Sequence, residues 1–351
     1  MRLLFTALAC LISVIVVGQE ETRLALVIGN ANYTKGELKN PVNDALLVAQ
    51  TLDSLGFDVI LDTNLTDRAS FIKSVRNFGN KRRNYDVGFV YYAGHGVQVD
   101  GENFLLPTKE IFTLADELGG EIFEEDIIEY GVNVYSILRY LTSEYGEVNV
   151  LILDACRNNP VRSMSEATRS FTNNEDGLAR NPPPSGSLIA YSTDQGKTAL
   201  DGKGSHSIYC ESLCRNMRLD GLTIEQVFKR VRLDVERTTQ NRQSPVEEQK
   251  LTGKDFYLVK SDFEEEYDLI EKLSEDGKYY DALSRIESII TKEPSFRAHQ
   301  IRGSIYLNLG QIEKAIEEYK RCISINQNFV DAYFSLANIY QFEEQYDKAI
   351  D

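Results

Sequence analysis

The 351-residue chain reads as a three-layer α/β sandwich followed by an all-helical repeat segment. Three observations predict this. Between residues 23 and 260, short and continuously apolar β-rich runs alternate with stretches of helical period, the pattern of a mainly parallel sheet covered on both faces. Beyond residue 262 the period is helical throughout and small residues recur at a fixed interval. The charge balance also breaks there: from residue 262 onward 19 acidic residues face 10 basic ones, so −9 of the total −16 lies in that last segment.

Six strands are expected in chain order: LALVIG at 24–29, FDVIL at 57–61, VGFVYY at 87–92, VNVLILD at 148–154, SLIAYS at 187–192 and DFYLV at 255–259. Helices are expected over 43–56, 66–80, 133–143, 206–218 and 223–240. Residues 161–187, polar and carrying three consecutive prolines, have no periodicity and are expected to form an exposed loop.

A composition of 42% hydrophobic and 26% charged residues supports a full core. The negative net charge, with no basic patch evident in the linear sequence, argues against nucleic acid as a partner. At the N-terminus Arg2 precedes an apolar run over 3–17, closed by Val16, Val17 and Gly18, so residues 1–18 are expected to be a signal peptide. The run is short for a membrane span, and lipidation at Cys10 is disfavoured by Ala7 three places before it. The mature chain is then exported to a periplasmic or extracellular location without a stable span.

Four cysteines would remain, Cys156, Cys210, Cys214 and Cys322, too few and too scattered for a disulfide framework. Cys210 and Cys214 share a helix face without an evident histidine partner and are expected to be small buried residues, so no metal and no cofactor is predicted. His206 and His299 are expected to be ordinary surface or packing residues.

In the C-terminal segment Ala282, Ala315 and Ala349 recur at spacings of 33 and 34 residues. Gly303, Tyr306, Gly310 and Tyr319 surround the second, and Tyr333, Leu336, Ala337 and Tyr340 the third. This resembles the tetratricopeptide repeats, a solenoid that presents a concave surface to a protein or peptide partner. Pro294 closes the first repeat as the family pattern implies, whereas Gln327 replaces proline in the second and Glu266 a bulky apolar residue in the first. The four tyrosines are expected in the core. The repeats are assigned to 262–351; with the last one cut short at Asp351, the natural protein is expected to be longer or this sequence to be a fragment.

Two strand ends carry chemistry. The third runs into AGHGVQ, with His95 between Gly94 and Gly96, and the fourth into DACRNNP, with Cys156 two residues after Asp154. In an open parallel sheet such strand ends line the ligand crevice, so an imidazole and a thiol are placed to meet there as base and nucleophile. The amides of Gly96 and Cys156 are candidates for an oxyanion hole.

YYAGHGVQ and LILDACRNNP, with the opening LALVIGNANY, the NDA at 43–45 and the SLIAYSTDQGKTALDG stretch, resemble the caspase-fold cysteine peptidases, which include caspases, metacaspases and paracaspases. The likeness spans about residues 23–260 within a domain assigned to 19–260. It implies a cysteine endopeptidase with a polypeptide substrate, Cys156 as nucleophile and His95 as general base and acid.

Aspartate-cutting caspases resemble one another in a glutamine two residues before the nucleophile and an arginine ahead of the first long helix. Here the first position is Asp154, and ELKNPVNDA offers Asp44 and no arginine. Two carboxylates at the crevice favour cleavage after Arg or Lys, as in the metacaspase-like branch. A helix-start acid would also account for Asp44, and a strand-end cap for Asp154. Arg157 and Asn158 depart from the histidine and serine usual in metacaspases. Ser192, Thr193 and Asp194 are expected to form a wall where a substrate strand adds to the sheet edge.

Arg162, Arg169 and Arg180 in the polar loop are expected self-cleavage positions, as flexible segments favour proteolysis. Calcium activation occurs among metacaspases, but the acidic run at 121–126 lacks the spacing of a calcium loop. The rival readings are a catalytically silent caspase-like scaffold that works through its repeats, and an ester hydrolase or acyl transferase on the same Cys/His pair.

Overall fold

The computed structural model describes residues 21–118, 122–142, 148–156, 178–180, 182–194, 204–253, 255–327 and 329–343. The expected signal peptide, Arg162 and Arg169 lie outside them. The element order is β1 (Arg23–Gly29), α1 (Pro41–Ser54), β2 (Phe57–Thr63), α2 (Arg68–Arg82), β3 (Val87–Val99), β4 (Glu102–Leu105), α3 (Glu110–Leu118), α4 (Glu124–Tyr130), β5 (Val132–Asn133), α5 (Val134–Leu141), β6 (Val148–Cys156), β7 (Ser187–Tyr191), α6 (Ile208–Met217), α7 (Ile224–Thr239) and β8 (Val246–Lys250). The helical segment follows: α8 (Glu264–Glu275), α9 (Tyr279–Lys292), α10 (Phe296–Asn308), α11 (Ile312–Ile325) and α12 (Val330–Phe342).

The main sheet runs β2-β1-β3-β6-β7-β8, parallel except for β8. Because β1, β3, β6 and β7 are covered on both sides, their apolar residues need not alternate with polar ones. One core cluster packs Ala25, Val27, Phe89, Tyr91 and Ile152 under α1, α6 and α7. The opposite cluster packs Leu26, Val90, Tyr92 and Leu153 under α2 and α5. This is the expected three-layer sandwich. Chain order reverses at β1, with β2 on one side and β3 on the other, and that switch point opens a crevice at the strands' carboxyl ends.

Helix starts follow local chemistry. Asp67 caps α2 by accepting from the Ser70 amide at 2.7 Å while its own N–H donates to the Ser70 hydroxyl. Pro41 opens α1, where its missing N–H costs nothing. Gly29 is required where β1 meets this helix, since a Cβ would stand 2.5 Å from the Pro41 carbonyl oxygen. The acidic stretch near 124 is the first turn of α4, with the Phe123 N–H donating to Asp126 at 2.9 Å; Glu121 lies outside the described residues.

Three strand expectations are corrected. Residues 255–259 are not a ladder strand: Tyr257 makes an isolated bridge to Thr223, and Phe256 and Leu258 are buried beside the α6/α7 cluster. The last strand is instead the antiparallel VEEQK of β8, whose polar composition hides it because an edge strand can face solvent. Strand β3 also does not stop at residue 92. It continues to Val99 and pairs with β4, which pairs with β5; these short strands and α3 and α4 form a satellite core around Val97, Phe104 and Phe112.

The described part of the polar loop is not loose. Leu178 and Ala179 are buried, and the Asn103 amide clasps Ala179, donating to its carbonyl and accepting from its N–H, both at 2.7 Å. Arg180 bonds Asp194 at 2.7 Å and Glu248 at 3.3 Å. The backbone just ahead of Arg180 is thus satisfied by a side-chain amide as a strand would satisfy it.

The helical segment stacks antiparallel pairs. Ala282 and Ala315 are fully buried, and a Cβ at Gly303 would lie 3.2 Å from the Tyr319 ring, so a small residue is needed for α10 and α11 to approach. Tyr319 and Tyr340 are core residues and Tyr306 packs against the cluster, but Tyr333 is half-exposed and donates to the Gln327 carbonyl at 3.0 Å. His299 is buried against Glu318 at 2.7 Å, a packing residue as expected. The repeats abut the sandwich through Arg297, which pairs with Glu264 at 2.5 Å and lies over Tyr257, and through Arg230, bonded to Asn326 at 2.6 Å. No helix among the described residues is long and apolar enough to cross a membrane.

One local feature corrects the linear reading of charge. Helices α2 and α5 gather Arg68, Arg76, Arg83 and Arg139 around a groove of about 400 Å³, a cationic surface on an acidic protein. Helical spacing and packing assemble it from residues far apart in the chain.

Candidate active site

The crevice is built from the carboxyl ends of β1, β3, β6 and β7. In the β3·β6 register His95 stands directly opposite Cys156, as Gly94 stands opposite Ala155 and Ala93 opposite Asp154. The two chemistry-bearing positions are thus neighbours across one strand pair at the rim of the sheet.

Two contacts hold the imidazole and two more hold its backbone. Its Nε2 lies 2.6 Å from the Gly36 carbonyl oxygen, on the loop after β1 and across the switch point. A carbonyl can only accept, so Nε2 carries the proton and Nδ1 is the basic lone pair. That Nδ1 is buried with no partner among the described residues. The Tyr33 ring stacks against the imidazole at 4.3 Å, tilted by 54°, and the Tyr33 hydroxyl accepts from the His95 backbone N–H at 2.8 Å. The Tyr92 hydroxyl donates to the His95 carbonyl at 2.8 Å. Burial pushes the imidazole below its ordinary pKa, opposed by the bond to Gly36, so the ring is a neutral base at neutral pH.

Gly94 makes this possible. Its φ is +156°, and a Cβ there would meet the Tyr33 and Tyr92 hydroxyl oxygens at 2.6 Å. Gly96 is the first β3 residue past the β6 register, and a Cβ on it would sit 3.0 Å from Leu178 and 3.1 Å from Ala155. The motif's two glycines therefore serve close packing from opposite sides of His95.

Asp44 and Asp154 converge although 110 residues separate them in sequence. Asp154 is on β6, accepting from the Tyr91 hydroxyl at 3.0 Å and the Ser207 hydroxyl at 3.0 Å. Asp44, in the first turn of α1, accepts from the Ser207 N–H at 3.0 Å and lies 3.2 Å from His206 Nδ1. Ser207, the cap of α6, thus joins the two carboxylates while also accepting from the Cys210 amide at 3.0 Å. Burial, and next the charge of Asp154, push the Asp44 carboxyl up to about 8. Such a pair favours a cation between its members. Asp44 is a helix-start acid as well, but its carboxylate is spent on α6 rather than on its own helix.

Ser192 and Thr193 are buried with hydroxyls that find no partner among the described residues, while Asp194 is partly exposed and paired with Arg180. At Ser192 the backbone is already engaged within the domain. Its N–H donates to the Leu153 carbonyl at 3.1 Å and its carbonyl accepts from Gln243 at 2.8 Å. Strand β7 is flanked by β6 and β8, so along this strand a substrate could pair with the described backbone at Thr193 and Asp194.

Sequence reasoning missed Gly36, Tyr33, Ser207 and His206. The first two sit in the opening NANYTKG string with no chemistry of their own to flag them. Ser207 carried a readable signal, since a serine just before a helical run predicts a cap.

The caspase domain model matches residues 22–257. The chain belongs to the caspase domain family. A tetratricopeptide repeat model matches residues 303–341. The chain is 29% identical over 136 residues to the mucosa-associated lymphoid tissue lymphoma translocation protein 1 of Homo sapiens, covering 38% of this chain and 15% of that protein. It is 36% identical over 85 residues to DnaJ homolog subfamily C member 3 of Rattus norvegicus, covering 23% of this chain and 17% of that one. The matches thus span less than a fifth of either relative. A caspase domain coupled to a helical repeat module is the organisation that sequence and fold share.

Proposed function

We propose that the protein is a cysteine endopeptidase that cleaves after Arg or Lys and recruits protein partners through its repeats. The observation carrying this reading is the His95 imidazole, with its Nε2 proton on the Gly36 carbonyl and its Nδ1 lone pair unpartnered among the described residues, at the strand position facing Cys156. In this mechanism Nδ1 takes the Cys156 proton, the thiolate attacks the scissile carbonyl, and the imidazolium returns the proton to the leaving amine. Water then resolves the acyl-enzyme with His95 again as base. The Gly96 and Cys156 amides receive the oxyanion.

Asp44 and Asp154 form the floor that accepts the guanidinium or ammonium, with Ser192 and Thr193 on its wall. A basic side chain supplies the positive charge that two buried carboxylates call for. The division into a leader over 1–18, a peptidase domain over 19–260 and repeats over 262–351 completes the reading, and with it action outside the cytoplasm. Digestion of a positional peptide library by the wild type beside Cys156→Ala tests it. Cleavage after Arg and Lys that disappears in the variant is the expected result; no cleavage under any reducing or calcium condition would leave the caspase-like scaffold as the function.

A further inference from the structure

We propose that Asp44, His206 and Cys210 form a binding site for a divalent zinc-type cation, which closes the specificity pocket to basic side chains when it binds. Among the described residues these three side chains bring one carboxylate oxygen, one imidazole nitrogen and one sulfur within 4.8 Å of one another. The individual contacts are already short. His206 Nδ1 is 3.2 Å from Asp44 Oδ1, and Cys210 Sγ is 3.6 Å from the Asp44 main-chain oxygen.

Zinc takes ligands at about 2.0–2.3 Å, which puts tetrahedral donors roughly 3.3–3.8 Å apart. The donors, all within 4.8 Å of one another, must therefore draw together by about 1 Å to close on the ion. The mixed oxygen, nitrogen and sulfur set selects a borderline-soft ion over calcium or magnesium, which prefer oxygen throughout. With three protein ligands, a fourth position stays open to water.

The frame around the donors is stiff. Asp44 belongs to α1 and Cys210 to the first turn of α6, and the Ser207 N–H lashes the two helices together through the Asp44 carboxylate. Asp44 and Cys210 are buried, while the His206 side chain is 26% exposed and provides the route from solvent. Asp154 lies one hydrogen bond away through Ser207, so its charge reinforces a cation there. Binding releases the Cys210 thiol proton and the Asp44 carboxyl proton to solvent, and His206 ligates through Nδ1 with its proton on Nε2.

The ion would sit where the preceding section seats an arginine or lysine, so the inhibitory half of the proposal rests on that reading. The binding half does not. His206 stands four residues before Cys210 in the sequence, too few donors for a metal by themselves; the fold supplies the third, Asp44, from α1.

The test uses the full chain carrying Cys156→Ala, which removes the nucleophile as a rival ligand, titrated with cobalt(II) as a spectroscopic stand-in for zinc. The expected result is one equivalent bound, with visible bands and a near-ultraviolet sulfur-to-cobalt band that zinc displaces. Cys210→Ser abolishes the sulfur band, Cys214→Ser keeps it, and His206→Ala, at a partly exposed position, weakens binding at least about tenfold. No sulfur band, or one indifferent to both Cys210→Ser and His206→Ala, overturns the site. In the Cys156-intact enzyme zinc should raise the KM for arginyl peptides and leave kcat alone. A purely kcat effect refutes the pocket-closing role, and a cobalt site in a protein with no peptidase activity sinks the protease reading alone.

Discussion

Replacing Tyr33 by phenylalanine removes one oxygen from the centre of the candidate site and leaves the ring in place. That oxygen accepts from the His95 N–H at 2.8 Å, pairs with the Tyr92 hydroxyl at 3.1 Å and reaches the Leu106 carbonyl at 3.3 Å. His95 is 4% exposed, so water cannot take over as acceptor for its N–H. An orphaned buried donor costs about 1–3 kcal/mol. At roughly 2–4 °C per kcal/mol for a domain of this size, the Tm should fall by about 2–12 °C. The measurement belongs in a Cys156→Ala background, where self-digestion cannot distort the melt. In the active protein, loosening the backbone that aims Nδ1 should lower kcat at least about tenfold, because a misplacement near 1 Å can cost a hundredfold, while KM barely changes. A variant melting within a degree of the parent with unaltered kcat would refute the claim that Tyr33 positions the base.

Three further outcomes are expected. Burial depresses the His95 pKa below its ordinary 6.5, so kcat/KM on neutral P1 peptides, which do not use the Asp44 carboxylate, should hold through neutral pH and fall only below that value; the stabilising contribution of the neutral ring is likewise present above 6.5 and lost as pH drops through the folded value, and a profile on those peptides with its acid limb at or above 6.5 contradicts the assignment. Asp44→Asn and Asp154→Asn each delete one charged acceptor, and a loss of about 1.5–3 kcal/mol per charged hydrogen bond predicts a drop of roughly 10- to 150-fold in kcat/KM on arginyl peptides, with neutral P1 peptides nearly unaffected; equal losses on both substrate types would move these residues out of the pocket. Asn103→Ala strips both partners from the Ala179 backbone, so limited trypsin digestion should cut after Arg180 much faster than in the parent, and equal cutting rates would show that the clasp does not restrain this segment.

What was legible in the sequence follows from what each signal depends on. The buried parallel strands announce themselves because a strand covered on both faces is apolar on both, as in LALVIG and the central VLIL of VNVLILD. Strand β8 was illegible for the opposite reason: at an antiparallel edge VEEQK pairs through its backbone, and its side chains carry no apolar run. The apolar residues 255–259 misled for the same reason, since burial under helices makes the same demand on side chains as burial in a sheet.

The chain itself determined the two-part architecture, the motifs around His95 and Cys156, and the acidic character of Asp44 and Asp154, because local period and residue chemistry are properties of short segments. Only the tertiary structure decided which imidazole nitrogen is basic, since the Gly36 carbonyl that settles it arrives from a different strand's loop. It also decided that Ser207 ties Asp44 to Asp154, that Asp44 stands beside His206 and Cys210, and that the Arg180 side chain pairs with Asp194 and Glu248. These are contacts between segments tens to more than a hundred residues apart, and their geometry exists only once the sheet register and helix packing have brought the segments within hydrogen-bonding reach.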